Sequence, residues 1–511
     1  MSKESPIYIH DAGRIKHSLP VAYLTQQLAK RGIEFTAVQR LNRAVPIALF
    51  SFRSPYPAYA HFLWELKRSS IPLLSSERTT DDPLIITGGM AMRNPFPIEQ
   101  FCDAIWLGDA NSQTLDAIQE IQQHLKMPRD QMPRDQLLER LKNYGYYVPK
   151  LHLEEEKPIF HISQTPNYAY VIANNLSVVE FYPDRKKKLT AHIEVKRGCG
   201  MHCSFCVDGQ NPPRVFDYAE FEELLRNIIL KHPNLGNVRL SFPALNATEF
   251  MTFLNITDKV KIDLQAEFNI NIGSTTPPQF TAEVAQRLVS LGQKTMTFAP
   301  EVAAGQIDGV DLRREHKRWL TDDSLFQAIR NGLAAGMNQL ALYHMTGFEG
   351  ETDAHLQAFA NLVKKITQEF PSLGEIKVIS NPTFVTVGTR LEHSPQITYP
   401  EAKRRWEVLE IILKEYPQAV AMWLLNLTAQ TSYDTPHGPE IAYAQGYFHR
   451  APRAMGAALL KMSDKLTTPT SYQKFGIKEI EKLMVLAGIH LPYFFQGIDI
   501  VTSGDFEIRR T

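Results

Sequence analysis

The sequence predicts an α/β chain: a doubly wound, Rossmann-like domain, a partial (β/α)6 TIM-type barrel, and a mainly helical end. Three observations carry this. Short strand-like runs alternate with helical runs over residues 1–145 and again over 191–400, and helical periodicity prevails over 401–511. Such alternation implies parallel strands joined by crossover helices. At 511 residues, 44 % of them hydrophobic, the chain has room for about three domains with sizeable cores.

In the first stretch, Pro6–Ile9, Phe35–Gln39, Pro46–Phe52, Leu84–Thr87 and Cys102–Leu107 read as strands. Leu19–Arg31, Tyr59–Arg68 and Gln113–Leu125 read as the helices between and after them. Ligands of such sheets bind beyond the carboxyl ends of the strands, and Gly88, Gly89 and Gly108 lie there. A tight strand-to-helix turn needs the same glycines without any ligand. Cys102 reads as a buried strand residue. Residues 146–190 are expected to be a linker, with irregular β as far as Pro183. Just before it, Met127-Pro-Arg-Asp-Gln131 is repeated unchanged as Met132-Pro-Arg-Asp-Gln136, which reads as a tolerated duplication in an exposed segment. Leu137–Tyr144 reads as a helix, and the basic run Arg185–Lys188 as solvated surface.

Residues 191–400 form the expected catalytic unit. The strand leading into Cys199 is followed by Val238–Phe242, Asn269–Gly273, Thr295–Ala299, Gln339–Tyr343 and Lys377–Ser380, with helical runs between. In such a barrel the chemistry sits at the carboxyl ends of the strands. Residues 401–511 are expected to be a separate capping domain. Its aromatic runs, Tyr443–Phe448 and Leu491–Gly497, read either as ordinary core or as a wall over the barrel, with His437, Tyr447, His449 and Arg450 flanking a pocket.

The most specific signal is AHIEVKRGCGMHCSFCVDGQ, residues 191–210. It holds Cys199, Cys203 and Cys206, three of the four cysteines in the chain, on a loop that leaves a strand. Gly198 and Gly200 permit the tight turn. Three thiolates so close together suit one face of a cubane iron–sulfur cluster and leave one iron open to a ligand with nitrogen and oxygen donors. Phe205, just before the third cysteine, can shield the cluster from water. A zinc site with His202 as fourth ligand is the rival, strained because His202 and Cys203 are adjacent, and structural zinc sites usually pair two separate hooks. With Cys102 alone left over, a second cysteine-held cluster lacks its ligands.

This spacing, the aromatic and the strand-then-loop context resemble the radical S-adenosylmethionine (SAM) superfamily. The resemblance implies a 4Fe-4S cluster on Cys199, Cys203 and Cys206, whose open iron chelates SAM, and electron transfer that cleaves SAM to a 5′-deoxyadenosyl radical. It extends along the barrel. Thr297-Phe-Ala-Pro-Glu301 is similar to the end of the fourth strand in relatives, placing Glu301 against the ribose or ammonium of SAM, with a salt bridge to an arginine as the plain alternative. Ser241 to Asn246 fall where relatives contact the SAM amino group or ribose. Gly347-Phe-Glu-Gly-Glu-Thr352 resembles Gly-Leu-Pro-Gly-Glu-Thr, departing at Phe348 and Glu349, and places Gly347 and Gly350 near adenine. Ser274 and Thr275 face substrate or SAM, or form a plain turn before Pro277 and Pro278. Tyr343 and His344 end the fifth strand without an assigned role.

Residues 86–111, ITGGMAMRNPFPIEQFCDAIWLGDAN, resemble the cobalamin-binding-type domain that precedes many radical SAM cores. No Asp-x-His-x-x-Gly motif occurs in residues 1–150. Two readings follow: cobalamin held without a protein histidine, or a degenerate domain that binds none. The pairing of domains implies methyl transfer to an unactivated carbon of a small molecule or peptide. The rival is hydrogen abstraction without cobalamin, leading to rearrangement, cyclisation or C–C bond formation; a non-catalytic metal protein is the third class. Flavodoxin or ferredoxin is the implied electron donor.

Lys plus Arg and Asp plus Glu are both 55, for a net charge of zero. That argues against a bulk electrostatic grip on nucleic acid or an anionic membrane. No apolar run is long enough to span a bilayer, and the start resembles no targeting peptide, so a reducing cytoplasmic setting is expected.

Overall fold

The structure, a computed structural model, describes residues 7–11, 19–37, 41–52, 55–89, 92–124, 133–153, 156–162, 180–183, 189–424, 438–468, 470–498 and 500–510. Two compact units divide the chain: Met1–Asn167, Val385–Gly388 and Ala429–Thr511 in one, Tyr168–Phe384 and Thr389–Thr428 in the other.

The first unit begins with β1 (Ile7–Asp11), α1 (Leu19–Lys30), β2 (Thr36–Ala37), β3 (Ile47–Ser51), α2 (Ala58–Arg68), β4 (Leu84–Gly88), β5 (Ala104–Ile105), α3 (Ser112–His124), α4 (Arg134–Asn143) and β6 (Ile159–Ile162). Strands β1 to β5 are parallel, in the order β2-β1-β3-β4-β5. All five expected strands are present. Ile47, Leu49, Leu84 and Ile86 pack with Leu115, Ile118 and Ile121 of α3 and Leu138 and Leu141 of α4. Cys102 is fully buried and accepts a hydrogen bond from Thr87 Oγ1 at 3.5 Å. Burial pushes its thiol up to about 12.

The second copy of the tandem repeat is structural, which corrects the reading of it as idle. Its Arg134 starts α4 and donates to the Asp103 carboxylate at 2.6 Å; the first copy lies outside the described residues. Asp103 is 3 % exposed and also accepts from Arg78 Nη1 at 3.0 Å and Ile85 N–H at 2.7 Å. Removing one partner of a buried pair leaves the other charge uncompensated, at a cost of about 3–5 kcal/mol. Asp103→Ala is therefore expected to lower the unfolding free energy measured in urea by that margin, whereas alanine at the exposed Glu139 changes it little.

The expected linker contains strands. Strand β6 lies within it, and so does β7 (Glu180–Pro183), which opens the second unit; the basic run at 185–188 lies outside the described residues. There follow β8 (Leu189–Glu194), β9 (Lys196–Arg197), β10 (Arg214–Val215), α5 (Tyr218–Lys231), β11 (Leu235–Ser241), α6 (Ala247–Asp263), β12 (Asn269–Ile272), α7 (Ala282–Ser290), β13 (Thr295–Glu301), α8 (Leu312–Lys317), α9 (Asp322–Ala334), β14 (Gln339–Thr346), α10 (Asp353–Glu369), β15 (Glu375–Pro382), α11 (Tyr399–Leu413) and β16 (Ala419–Trp423). The sheet orders are β12-β11-β8-β7 and β13-β14-β15-β16, linked by the parallel bridge Thr275–Phe298. Within these two sheets all pairs from β8 onward are parallel, while β7 runs antiparallel along β8; β9 and β10 form a separate antiparallel pair. The six expected barrel strands are all present, and β16 adds a further one.

The boundary drawn at residue 401 is corrected accordingly. It falls inside α11, and β16 pairs with β15, so residues 401–423 continue the barrel. The later elements, α12 (Gly438–Phe448), α13 (Met455–Ser463), α14 (Ile477–Leu486), α15 (Leu491–Phe495) and β17 (Glu507–Arg510), cluster with the first unit instead. Strand β17 pairs in parallel with β6. Tyr443, Tyr447 and Phe448 are buried, Tyr447 donates to Glu481 Oε1 at 2.7 Å, and Phe448 stacks on Tyr56 at 5.6 Å. Those aromatics are core of that unit. Burial and the neighbouring Arg93 and Arg450 push His449 down to about 4, and His437 lies outside the described residues. Among the described residues no helix is long and apolar enough to cross a membrane.

Candidate active site

The cysteine loop leaves β9 at Gly198, whose φ of +72° suits glycine and whose Cβ would collide with the carbonyl of Pro212. The loop closes on itself. Cys199 N–H donates to the Asp208 carbonyl at 2.8 Å, Cys206 N–H to the Cys203 carbonyl at 3.2 Å, and Gln210 Nε2 to the carbonyls of both Cys203 and Cys206. Cys199 is buried; Cys203 and Cys206 are half-buried. Burial raises the thiols of Cys199 and Cys206, the latter to about 11.

The segment after β13 grips this loop from outside. Ser204 and His316 share a 2.7 Å hydrogen bond through Oγ and Nδ1, and Ser204 N–H donates to the His316 carbonyl. The His316 ring stacks on Phe348 at 4.3 Å, and Phe348 meets Phe205 at 5.9 Å. Phe348, a departure from the expected motif, thus packs against Phe205, whose ring also lies 5.7 Å from Lys317 Nζ. Trp319 Nε1 lies 3.4 Å from Cys203 Sγ, and Arg390 donates to the His202 carbonyl at 2.6 Å.

Three thiolates with one iron left over is the donor set a cubane needs. Its sulfurs bind separate irons, so they need not converge on one point. The zinc alternative does require convergence, yet among the described residues no group of three or more His, Cys, Asp or Glu side chains is gathered for a single ion, and His202 is exposed. The loop therefore fits the cluster better than the ion.

Glu301 ends β13 at φ +66°, a left-handed conformation costing a non-glycine residue about 1–3 kcal/mol. It is 7 % exposed. Oε1 accepts from Lys317 Nζ at 3.2 Å, and Oε2 is buried with no hydrogen-bond partner among the described residues. The salt bridge expected with an arginine is made with lysine, and half the carboxylate remains available to a bound donor.

Other expected site residues are occupied differently. Asn246 caps α6, its side chain accepting from Glu249 N–H at 2.8 Å. Thr275 extends the sheet, its N–H donating to the Thr297 carbonyl at 2.9 Å. A Cβ on Gly347 (φ +99°) would meet Ile397 at 2.6 Å, and Gly350 adopts a φ of +76°, so packing at the first and left-handed backbone at both favour glycine without any ligand. Ser241 ends β11 and Ser274 lies two residues beyond β12, both half-buried. In the first unit, Gly88 ends β4 and accepts from Phe52 N–H, Gly89 (φ +113°) packs on the Phe52 backbone, and Gly108 is met by the His161 backbone of β6.

The barrel strands have two unlike faces. Val238 and Leu240, Met296 and Phe298, and Leu340 and Leu342 are buried. The alternate positions are smaller or more polar: Arg239, in register with His192 and Asn271, is exposed at the middle of its sheet. Tyr343 is half-buried on this face; burial raises its phenol, with Arg239 opposing and Glu301 adding to the shift. Sequence reading left Tyr343 unassigned and missed Arg239, although the alternation of NVRLS signals it.

His344 points the other way, fully buried, with Nδ1 2.9 Å from Ser380 Oγ. Burial pushes it down to about 3, and burial with Arg390 pushes His316 to about 4. Both stay neutral in the fold below the ordinary histidine value of about 6.5. Between pH 6.5 and about 4 the unfolded chain binds protons that the folded chain refuses, so stability falls as pH falls through that window. The urea midpoint is expected to be lower at pH 5 than at pH 7, and the difference to shrink in His344→Gln.

Comparison with known families places the description "Radical SAM proteins, N-terminal" on residues 16–149 and "Radical SAM superfamily" on residues 193–363. No curated protein matches the chain. Among solved structures it is similar to the FeFe-hydrogenase maturase HydG from Carboxydothermus hydrogenoformans, at 12 % identity and TM-score 0.34, over 51 % of this chain and 56 % of that one. Methylornithine synthase matches at 15 % identity and TM-score 0.32, over 50 % and 69 %. Coproporphyrinogen III oxidase from Escherichia coli matches at 14 % and 0.26, over 37 % and 43 %. The chain thus spans about half the length of the first of these.

Proposed function

We propose that this chain, which matches the amino-terminal and core domains of radical SAM proteins, is a radical SAM enzyme that performs adenosyl-radical chemistry without cobalamin. The observation that carries the reading is the pairing of the cysteine loop with Glu301, a strained, buried carboxylate with one oxygen unpartnered among the described residues. Cys199, Cys203 and Cys206 would hold a 4Fe-4S cluster, and Glu301 would accept from SAM. Together these groups supply reductive cleavage of SAM to methionine and a 5′-deoxyadenosyl radical that abstracts hydrogen from the substrate.

The chain's own residues do the rest. Gly198 and Gln210 fix the loop, Phe205 with Phe348 and His316 keeps water from it, and Lys317 orients Glu301. The polar face of the barrel strands, with Arg239 and Tyr343, receives a small-molecule or peptide substrate. Flavodoxin or ferredoxin serves as reductant in the cytoplasm.

The rival, methyl transfer through a corrinoid, rests on the pattern over residues 86–111. Against it, Gly89 and Gly108 are packed on their own unit's backbone, and Tyr56, beyond the end of β3, stacks on Phe448. Protein purified anaerobically from cells supplied with cobalamin is expected to contain about four irons per chain and no cobalt, and to release 5′-deoxyadenosine on reduction with SAM. Stoichiometric cobalt with a methylated product would put the rival in front; iron-free protein would sink both.

A further inference from the structure

Trp319 follows α8 in a turn that is pinned on every side. Arg313 donates to the Val302 carbonyl at 2.7 Å and to Asp322 at 2.9 Å, Lys317 donates to the Ala299 carbonyl at 2.5 Å, and Leu320 N–H donates to the Lys317 carbonyl at 3.0 Å. The indole is therefore held, not adventitious, where its N–H meets Cys203 Sγ at 3.4 Å. Its ring carries the Lys317 ammonium 5.3 Å from the centroid, and that ammonium is fixed by Glu301. Neither the cysteine spacing nor the aromatic before the third cysteine announces this contact, which reaches the loop from 116 residues away.

Resting on the cluster assignment above, we propose that Trp319 sets the reduction potential of the cluster by donating its indole N–H to the Cys203 thiolate. Reduction adds one negative charge to the cluster. A donor on a ligand sulfur withdraws electron density and stabilises the reduced state, so it raises the potential. The Lys317 cation on the ring polarises the N–H in the same sense. Trp319 touches a ligand atom and no reacting atom, which makes it a tuning residue and not a catalytic one.

The test is a redox titration of full-length protein reconstituted anaerobically, following the electron paramagnetic resonance signal of the reduced cluster. Trp319→Phe keeps a ring and removes the donor. With iron content unchanged, its reduced-to-oxidised ratio at a fixed potential is expected to fall about tenfold, the size of one charge-assisted hydrogen bond; that is a shift of about 59 mV to lower potential for a one-electron couple. Trp319→His, which retains an N–H, is expected to recover part of the shift. Should phenylalanine loosen the loop, 3-benzothienylalanine at position 319 keeps the shape of the indole without its N–H and gives the same reading. Iron-loaded variants with an unmoved potential would overturn the inference alone. Wild-type protein that takes up no iron would overturn the functional reading and this inference with it.

Discussion

Alanine at Cys199, Cys203 or Cys206 is expected to abolish SAM cleavage and to strip the chain of bound iron. Each thiolate would hold its own iron, so one substitution leaves a cluster tied at two corners and open to solvent at the others. Loss of groups that merely orient metal ligands costs about 10–100-fold in metal affinity, and loss of a ligand costs more. The informative control is Cys102→Ala. Cys102 is fully buried beside Thr87 in the other unit, with its thiol pushed up to about 12. It is expected to keep full iron and full activity while losing about 1 kcal/mol of stability to a small cavity. Iron analysis and the visible spectrum of anaerobic protein read both outcomes. A Cys203→Ala protein that retains iron and still yields 5′-deoxyadenosine would refute the ligand assignment.

Local pattern made much of this legible. The strands of both units stand where apolar runs alternate with helical ones, because period-2 and period-3.6 patterns are written residue by residue. Strand β16 escaped because AVAMW is short and follows a long helix, so nothing local tied it to a sheet begun far upstream. The division of residues 401–511 escaped for the same reason: β17 pairs with β6 across more than 300 residues, and pairing partners that distant leave no mark on either strand. The three cysteines were legible because their chemistry demands proximity in sequence. His316, Lys317 and Trp319 were not, since a loop is braced by whatever segment folding brings against it. The roles given to Asn246, Gly347 and Gly350 show the converse. A motif places a residue at a strand end, but a helix cap or a crowded side chain can require the same residue type without any ligand.

Glu301→Gln is expected to weaken SAM binding by about 10- to 150-fold while leaving iron content intact, because a hydrogen bond to a charged group contributes about 1.5–3 kcal/mol. The substitution keeps the shape of the side chain and removes its charge. Two roles compete for this residue. As a structural ion pair, Glu301 would serve Lys317 alone, and glutamine would lower the melting temperature without touching SAM affinity. As a cofactor contact, its second oxygen, buried and without a partner among the described residues, would gain its donor only when SAM arrives. The geometry favours the second role. Lys317 has an alternative acceptor in the Ala299 carbonyl and two rings, Phe205 and Trp319, within 6 Å, so it is not stranded when the carboxylate goes. The φ of +66° also points there, since strain of that size is retained where function uses it. Equilibrium binding of SAM to the oxidised, iron-loaded protein, set beside thermal unfolding, separates the two. A wild-type dissociation constant joined to a lowered melting temperature would return Glu301 to the scaffold. A raised constant with little change in melting temperature would place it at the cofactor.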